Sequence, residues 1–359
     1  MRVLALVTDA FGGFGGIAQY NRDFLTALAR CDGGEGMLVL PRQGRPGELA
    51  LPSGVRQLAP KRNKIGYALA SLRAALAEGP FDAVFCGHLH MAPLAAILAR
   101  LAGAPLWLQL HGVEAWQPLP RAQRWAARRA RLVTAVSRHT RRQFLRFAGI
   151  DPARVRVLPN TFDQAFSPGP KPDYLLDRYG LRGKHVLLTV GRLAADERRK
   201  GHDRVIEALA AMRTDCPDCV YVVAGRGDDR PRLEALARRR GIEDRVMFIG
   251  AVAQAELADH YRLADVFVMP SSQEGFGIVF LEAAACGRKL IGGDRDGSRD
   301  ALADGAIGIA IDPSSSDELV RAIADAIAGR GADPGEVRRF GFENFALHVC
   351  GLAGAFAQR

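Results

Sequence analysis

The chain of 359 residues and 38.8 kDa is too long for one ordinary hydrophobic core, so two domains of roughly 150 to 180 residues with a cleft between them are expected. With 48% hydrophobic and 25% charged residues, and 39 Gly against 19 Pro, the composition excludes a disordered or fibrous chain, and no apolar run reaches the roughly 18 to 20 residues that span a bilayer. The net charge of +10 lies wholly in the N-terminal half: residues 1–170 carry 22 Lys and Arg against 10 Asp and Glu, the remainder 27 against 29.

Met1-Arg2-Val3-Leu4-Ala5-Leu6-Val7-Thr8-Asp9 places a cation before apolar residues but stops at Asp9 without a small-residue cleavage pattern. It reads as a first buried strand, not a signal peptide. Short apolar runs rich in β-branched residues then alternate with helix-length segments, the pattern of parallel sheets covered by helices on both faces. In a first series, strands are expected near 2–8, 36–41, 82–87, 105–110, 131–136 and 154–158, with helices near 17–30, 65–78, 92–102, 120–130 and 137–147. Ser167-Pro168-Gly169-Pro170-Lys171-Pro172 breaks the rhythm, because so many prolines continue neither a helix nor a central strand. A linker over 167–175 is predicted there, between a domain at 1–166 and another at 176–335. The second domain has strands near 185–191, 220–225, 246–250, 266–270, 289–292 and 307–311. Helices take over after about residue 315, and Phe340, Phe342, Phe345, Leu347, Leu352 and Phe356 read as anchors of a helical tail, 336–359, that crosses back to the first domain. Two doubly wound domains place ligand crevices at the carboxyl ends of their strands.

Within the first half, Gly13-x-Gly15-x-x-Ala18 in Gly12-Gly13-Phe14-Gly15-Gly16-Ile17-Ala18 matches a dinucleotide-binding fingerprint. A lone match is a weak signal, and the second strand ends at Leu40-Pro41-Arg42 with no acidic ribose ligand. Arg42 would suit a 2′-phosphate, so an NADP-dependent oxidoreductase stands as an alternative. Cys86, His88 and His90 alternate and share one face, which raises a metal site against the plainer reading that they bind nothing. His111, in Leu108-Gln109-Leu110-His111-Gly112, ends an apolar strand facing the cleft; its alternative is a buried, satisfied histidine.

Residues 121–146 carry nine arginines and no acid, beside Trp125, Phe144 and Phe147, and Lys61, Arg62 and Lys64 add to the basic surface. Such a surface attracts anionic lipid headgroups at around 1 kcal/mol per charge; the alternative is a solvated basic face. No nucleic-acid reading motif is present, and no nucleic-acid partner is expected. Ser137, opening Ser137-Arg138-His139-Thr140, reads as a helix cap rather than a nucleophile. The cysteines Cys31, Cys86, Cys216, Cys219, Cys286 and Cys350 are dispersed, and a chain this long needs no disulfide staple, so a reducing cytoplasmic setting is expected. Cys216 and Cys219 have metal-ligand spacing but lack the second pair or nearby histidines that zinc needs.

The most informative stretch is Val266-Phe267-Val268-Met269-Pro270-Ser271-Ser272-Gln273-Glu274-Gly275-Phe276-Gly277-Ile278-Val279-Phe280-Leu281-Glu282-Ala283-Ala284-Ala285-Cys286-Gly287. A buried strand ends at Pro270, a glycine-containing turn follows, and a helix from about Gly277 ends at Gly287. Its first amides, with the helix dipole behind them, suit a diphosphate. Two carboxylates beside a phosphate site make sense as acceptors from sugar hydroxyls: Glu274 from the transferred sugar, Glu282, about two helical turns on, from the ribose. The alternative is a helix-start acid at Glu274 and a solvated face at Glu282.

This Glu-x7-Glu pattern in a Glu-Gly-Phe-Gly strand-turn-helix resembles the donor signature of retaining glycosyltransferases with the GT-B fold, closest to glycosyltransferase family 4. The resemblance covers nearly the whole chain and is densest between 186 and 313. It implies two Rossmann-like α/β domains facing a cleft, and donor contacts by Glu274, Gly275, Phe276, Gly277, Ile278 and Glu282. Thr189-Val190-Gly191-Arg192-Leu193 and Lys200-Gly201-His202-Asp203 are similar to the family segment whose Arg and Lys neutralise the diphosphate, which assigns Gly191, Arg192 and Lys200. Physically, Arg192 offers fixed paired donors and Lys200 a mobile point charge, unless Asp196 and Glu197 simply pair with them as surface cations.

Ala224-Gly225-Arg226-Gly227 and Ile249-Gly250-Ala251-Val252 match the base-binding turns, assigning Gly225, Arg226, Ala251 and Val252. The resemblance also brings the Gly15-Gly16 loop to the donor phosphates and His111 to the reacting centre. Three segments depart from the family: Asn160-Thr161 replaces Asn-Gly, Gly287-Arg288-Lys289 lacks a proline, and Asp296-Gly297-Ser298-Arg299-Asp300 replaces a Gly-Gly-x-Pro-Glu-like turn.

The expected activity is retaining, metal-independent transfer of a hexose from a UDP-, GDP- or other nucleotide-sugar to a glycan or lipid-linked saccharide, in cell-surface polysaccharide or glycolipid synthesis. No cofactor or metal is expected. His111, Arg192, Lys200 and Glu274 are the catalytic candidates, and the cytoplasmic face of a membrane is the expected place of work. A soluble acceptor remains open, as does a noncatalytic module that binds sugar nucleotides or anionic membranes.

Overall fold

The computed structural model describes residues 1–31, 36–45, 49–331 and 333–357. They form two compact units: Met1–Thr161 with Phe342–Arg359, and Phe162–Gly341.

In the first unit the chain runs β1 (Val3–Val7), α1 (Gly16–Ala29), β2 (Met37–Pro41), β3 (Val55–Gln57), α2 (Lys64–Ala77), β4 (Ala83–Cys86), α3 (Ala92–Leu101), β5 (Leu106–Leu110), α4 (Arg121–Arg129), β6 (Ala130–Ala135), α5 (Arg138–Ala148) and β7 (Val155–Val157). The seven strands are all parallel, in the order β3-β2-β1-β4-β5-β6-β7. β1, β2, β4 and β5 are buried along their whole length, as strands covered on both faces must be. The short edge strand β3 has no counterpart among the expected strands. Ser137 does cap α5, its hydroxyl accepting the Thr140 N–H at 3.0 Å.

One polar cluster in this core is paired: Trp107 Nε1 donates to Thr134 Oγ1 (2.9 Å), and the Thr134 and Tyr20 hydroxyls both donate to Gln109 Oε1.

The second unit runs α6 (Asp173–Tyr179), β8 (His185–Val190), α7 (His202–Ala211), β9 (Cys219–Ala224), α8 (Arg230–Arg240), β10 (Val246–Gly250), α9 (Gln254–Leu263), β11 (Val266–Met269), α10 (Ile278–Ala285), β12 (Lys289–Gly293), α11 (Ser298–Ala301), β13 (Ile309–Ile311) and α12 (Ser316–Ile327). Its parallel sheet has the order β10-β9-β8-β11-β12-β13. Residues 167–175 are held by this unit: Arg262 donates to the Ser167 carbonyl and hydroxyl, Lys171 pairs with Asp265 at 2.7 Å, and α6 begins within the stretch.

The last helix, α13 (Phe342–Ala357), belongs to the first unit. Phe345 packs edge-on against Tyr20 and Phe356 lies against Trp107, both buried, and each side chain contributes about 1.5–3 kcal/mol. Leu347, expected as an anchor, is 71% exposed, because it falls on the outer face of the helix. Phe340 instead packs on Phe276 inside the second unit.

The cysteine expectation is corrected. Cys31 at the end of α1 is disulfide-bonded to Cys350 in α13, and Cys216 to Cys219; Cys86 and Cys286 are buried thiols. The first pair is 319 residues apart in sequence, so only the packing of α13 on α1 brings it together.

Both sheets reverse strand order once, between β1 and β4 in the first unit and between β8 and β11 in the second. At such a switch point the loops leaving the carboxyl ends diverge and open a crevice.

Candidate functional site

In the second unit, β8 delivers Gly191 and Arg192, the turn before α7 delivers Lys200, and β11 delivers the Glu274 turn to one switch point. Lys200 Nζ lies 3.9 Å from Glu274 Oε2 and 3.5 Å from Glu197 Oε2, and Arg192 pairs with the other oxygen of Glu197. Both cations are therefore partnered by Glu197, and an arriving polyanion would compete with that carboxylate for them. Arg192 keeps 78% of its side chain exposed, whereas Lys200, Glu197 and Glu274 keep 21–24%. Burial pushes the Glu274 carboxyl above its ordinary range; Lys200 opposes the shift, while Asp296 and Glu197 reinforce it.

Gly277 caps α10 with φ 93°, a left-handed conformation that favours glycine. It turns the chain into the helix, so that the Gly277 and Ile278 amides open it without intrahelical acceptors, as any helix start does, and the Phe276 amide comes just before them. The Phe276 side chain is buried against Phe340, so only its backbone is available to a ligand. Eight residues after Glu274, Glu282 accepts the Tyr261 hydroxyl at 2.6 Å. Burial raises its carboxyl to about 7, with the Tyr261 hydrogen bond opposing and Asp163 adding to the shift. Gly191 and Gly225 lie on neighbouring turns, where the Gly191 N–H donates to the Ala224 carbonyl and the Gly225 N–H to the Gly250 carbonyl. Arg226 and Ala251 are exposed beyond β9 and β10, and Val252 is half-buried.

The remaining candidates stand at the switch-point end of the first unit. Gly15 and Gly16 begin α1 in a loop held by Arg22, whose guanidinium donates to the Ala10 and Gly13 carbonyls at 2.8 and 2.6 Å. His111 follows β5; its Nε2 bonds the Gly87 carbonyl at 2.8 Å and its backbone N–H donates to Glu114 Oε1 at 2.6 Å. A carbonyl only accepts, so Nε2 carries the proton and Nδ1 is left as the acceptor. Burial lowers the His111 pKa and keeps the ring neutral, with Glu114 and the Gly87 bond opposing.

Cys86, His88 and His90 do not converge on a point. The Cys86 thiol donates to the His88 carbonyl, and His88 Nδ1 accepts the His90 N–H. Among the described residues no group of three or more His, Cys, Asp or Glu is placed to hold a metal ion.

Two participants were not singled out from sequence. Tyr261, on α9, holds Glu282, and Asp296, after β12, holds the Glu274 turn through a buried carboxylate. Asp296 was visible only as part of a departure from the family turn, and Tyr261 carried no signal.

Residues 14–166 match the family described as Glycosyltransferase Family 4, and residues 178–340 the family described as Glycosyl transferases group 1. The GDP-mannose-dependent alpha-(1-6)-phosphatidylinositol monomannoside mannosyltransferase of Mycolicibacterium smegmatis is 34% identical over 271 residues, 72% of this chain and 70% of that protein. Alpha-D-kanosaminyltransferase of Streptomyces kanamyceticus is 32% identical, over 70% of this chain and 67% of its own length. Among solved structures, Anabaena Alr3699/HepE in complex with UDP superposes with a TM-score of 0.79 at 22% identity, covering 99% of this chain and 100% of that one. Sucrose-phosphate synthase from Thermosynechococcus elongatus does so at 0.75 and 21%, covering 99% and 98%. At these identities the structural likeness establishes the GT-B fold.

Proposed function

The chain belongs to glycosyltransferase family 4, and from that premise we propose that it moves a hexose from a nucleotide-diphosphate sugar to a glycan or lipid-linked saccharide, with retention of anomeric configuration and without a metal ion. The observation that carries this reading is that Lys200 lies 3.9 Å from Glu274 in the turn before α10, with Glu197 linking Lys200 to Arg192. Glu274 accepts from hydroxyls of the transferred sugar, and Glu282, steadied by Tyr261, from the ribose. Lys200, Arg192 and the amides of Phe276 to Ile278 stabilise the charge that grows on the departing diphosphate; preorganised donors of this kind are worth about 10²–10³ in rate. The acceptor hydroxyl enters on the face the diphosphate leaves, and the leaving phosphate takes its proton. In the first unit, neutral His111 offers Nδ1 as an acceptor for a substrate hydroxyl.

A lipid-linked acceptor is supported by the lipid acceptor in the mycolicibacterial relative's name and by the basic surface of the first unit. α4 and α5 expose Arg121, Arg124, Arg128, Arg129, Arg142 and Arg146. α2 adds Ile65, Leu69 and Leu76, 71%, 62% and 67% exposed, on the face opposite its buried Tyr67 and Ala74 and beside Lys61, Arg62 and Arg73. Apolar side chains among cations suit an anionic membrane surface, which we take to be the cytoplasmic face. No helix among the described residues is long and apolar enough to cross a membrane.

Calorimetric titration with UDP, GDP, UDP-glucose and GDP-mannose, followed by transfer assays with the donor that binds, tests the reading. Binding in the micromolar range, product with the donor's anomeric configuration and activity insensitive to chelator are expected. An inverted product, activity abolished by chelator, or no binding would overturn the corresponding part.

A further inference from the structure

Asp296 is 2% exposed, yet no cation pairs with its carboxylate among the described contacts. Its oxygens are occupied by neutral donors. Oδ2 accepts the Ser271 hydroxyl and the Glu274 N–H, both at 2.5 Å, and Oδ1 accepts the Ser298 N–H at 2.8 Å. The next residue completes the grip, the Gly297 N–H donating to the Glu274 carbonyl at 2.9 Å. Both backbone polar groups of Glu274 are thus held by consecutive residues of the loop after β12. The approach is close enough that a Cβ on Gly297 would stand 2.0 Å from the Gly275 carbonyl oxygen.

A buried carboxylate without a counter-ion is costly unless its hydrogen bonds are made, and a neutral side chain could fill the same space at lower cost. The negative charge has a specific effect at this position. It anchors the peptide that leads into the Gly275–Ile278 amides, and it sits next to the Glu274 carboxylate, whose pKa it helps to raise. Taking the Glu274 turn as the donor site, as proposed above, we propose that Asp296 is a positioning residue for nucleotide-diphosphate-sugar binding, its buried carboxylate holding the Glu274 peptide and so setting the direction of the turn's amides.

The test is Asp296→Asn in the full chain. An amide of the same shape has one acceptor oxygen, so its NH2 must face either the Ser298 N–H or the donors of Glu274 and Ser271. Expected is a fall in kcat/KM for the donor of roughly 10- to 100-fold, the range for losing a charge-assisted hydrogen bond, with the acceptor KM unchanged. The acid limb of the donor kcat/KM profile should also move to lower pH. The other charges that face Glu274, Lys200 and Glu197 with its partner Arg192, remain in place, so removing Asp296 leaves Glu274 easier to ionise.

A purely architectural role predicts otherwise: a lower melting temperature, with donor KM and the acid limb of the folded protein unchanged, and that result overturns the proposal. Should Asp296→Asn fail to fold, Ser271→Ala removes one donor from the same oxygen and is expected to weaken donor kcat/KM several-fold with acceptor KM constant; wild-type behaviour there overturns the proposal equally. Calorimetry with UDP, GDP, UDP-glucose and GDP-mannose separates the two levels. A wild-type chain that binds none of them removes the donor site and Asp296 together, whereas wild-type binding with both variants unchanged removes Asp296 alone.

Discussion

The two units share a topology and end their sheets in different chemistry. At the switch point of the second unit the loops carry Arg192, Glu197, Lys200, Glu274 and Asp296, each in contact with the next. The matching end of the first unit carries Gly15 and Gly16, with a histidine, one strand further along, that burial keeps neutral. The same crevice geometry therefore supports charge stabilisation in one unit and close backbone approach and neutral hydrogen bonding in the other. The scaffold opens the crevice, and the loops choose the chemistry.

The largest expected effect bears on that contrast. Glu274→Ala should lower kcat by about 10²–10³ with little change in melting temperature, as removal of one preorganised polar group does. His111→Ala, in the first unit, should cost only about tenfold, the loss of one hydrogen bond, and leave nucleoside diphosphate binding intact. Initial rates and calorimetry on both variants check this, and equal losses would break the division of labour.

Next in size is a stability effect confined to the first unit. Cys350→Ser removes its tie to Cys31 and should destabilise that unit by about 2–4 kcal/mol, while nucleoside diphosphate affinity in the second stays the same. Thermal melting alongside calorimetry separates the two.

A pH dependence belongs to the second unit. Glu282, raised to about 7 by burial, is a better acceptor once ionised, so donor binding should tighten as pH rises through about 7, and Glu282→Gln should flatten that dependence. The same raised pKa means that the folded, empty protein holds a proton the unfolded chain releases. Its stability should accordingly decline from about pH 4 to about pH 7. The smallest effect is at the surface: Leu69→Asp on α2 should weaken binding to anionic vesicles several-fold in a sedimentation assay and leave transfer to a soluble acceptor analogue unchanged.

The legible features were local ones. Alternation of apolar runs with helical segments placed nearly every strand, because a parallel strand buried on both faces has to be continuously apolar. β3 escaped, since Val55-Arg56-Gln57 is three residues at an edge with only Val55 buried. The Glu274 turn was legible because strand end, glycines and helix start are contiguous. Arg192 and Lys200 were found as cations. That Glu197 would pair with both, the plainer alternative raised for them, needed the turn before α7 to fold.

What the sequence alone determined is the set of groups and their order along the chain: two α/β units, a glycine-bounded turn with carboxylates eight residues apart, and a basic first half. The tertiary structure decided which partners meet. Tyr261 reaches Glu282 because α9 packs beside α10, Asp296 reaches Glu274 because β11 and β12 are neighbours, and Cys31 meets Cys350 because α13 returns to α1. Hydrophobic periodicity is written in adjacent residues, whereas hydrogen bonds and disulfides between distant segments exist only after burial has brought those segments together, and no local spacing encodes them.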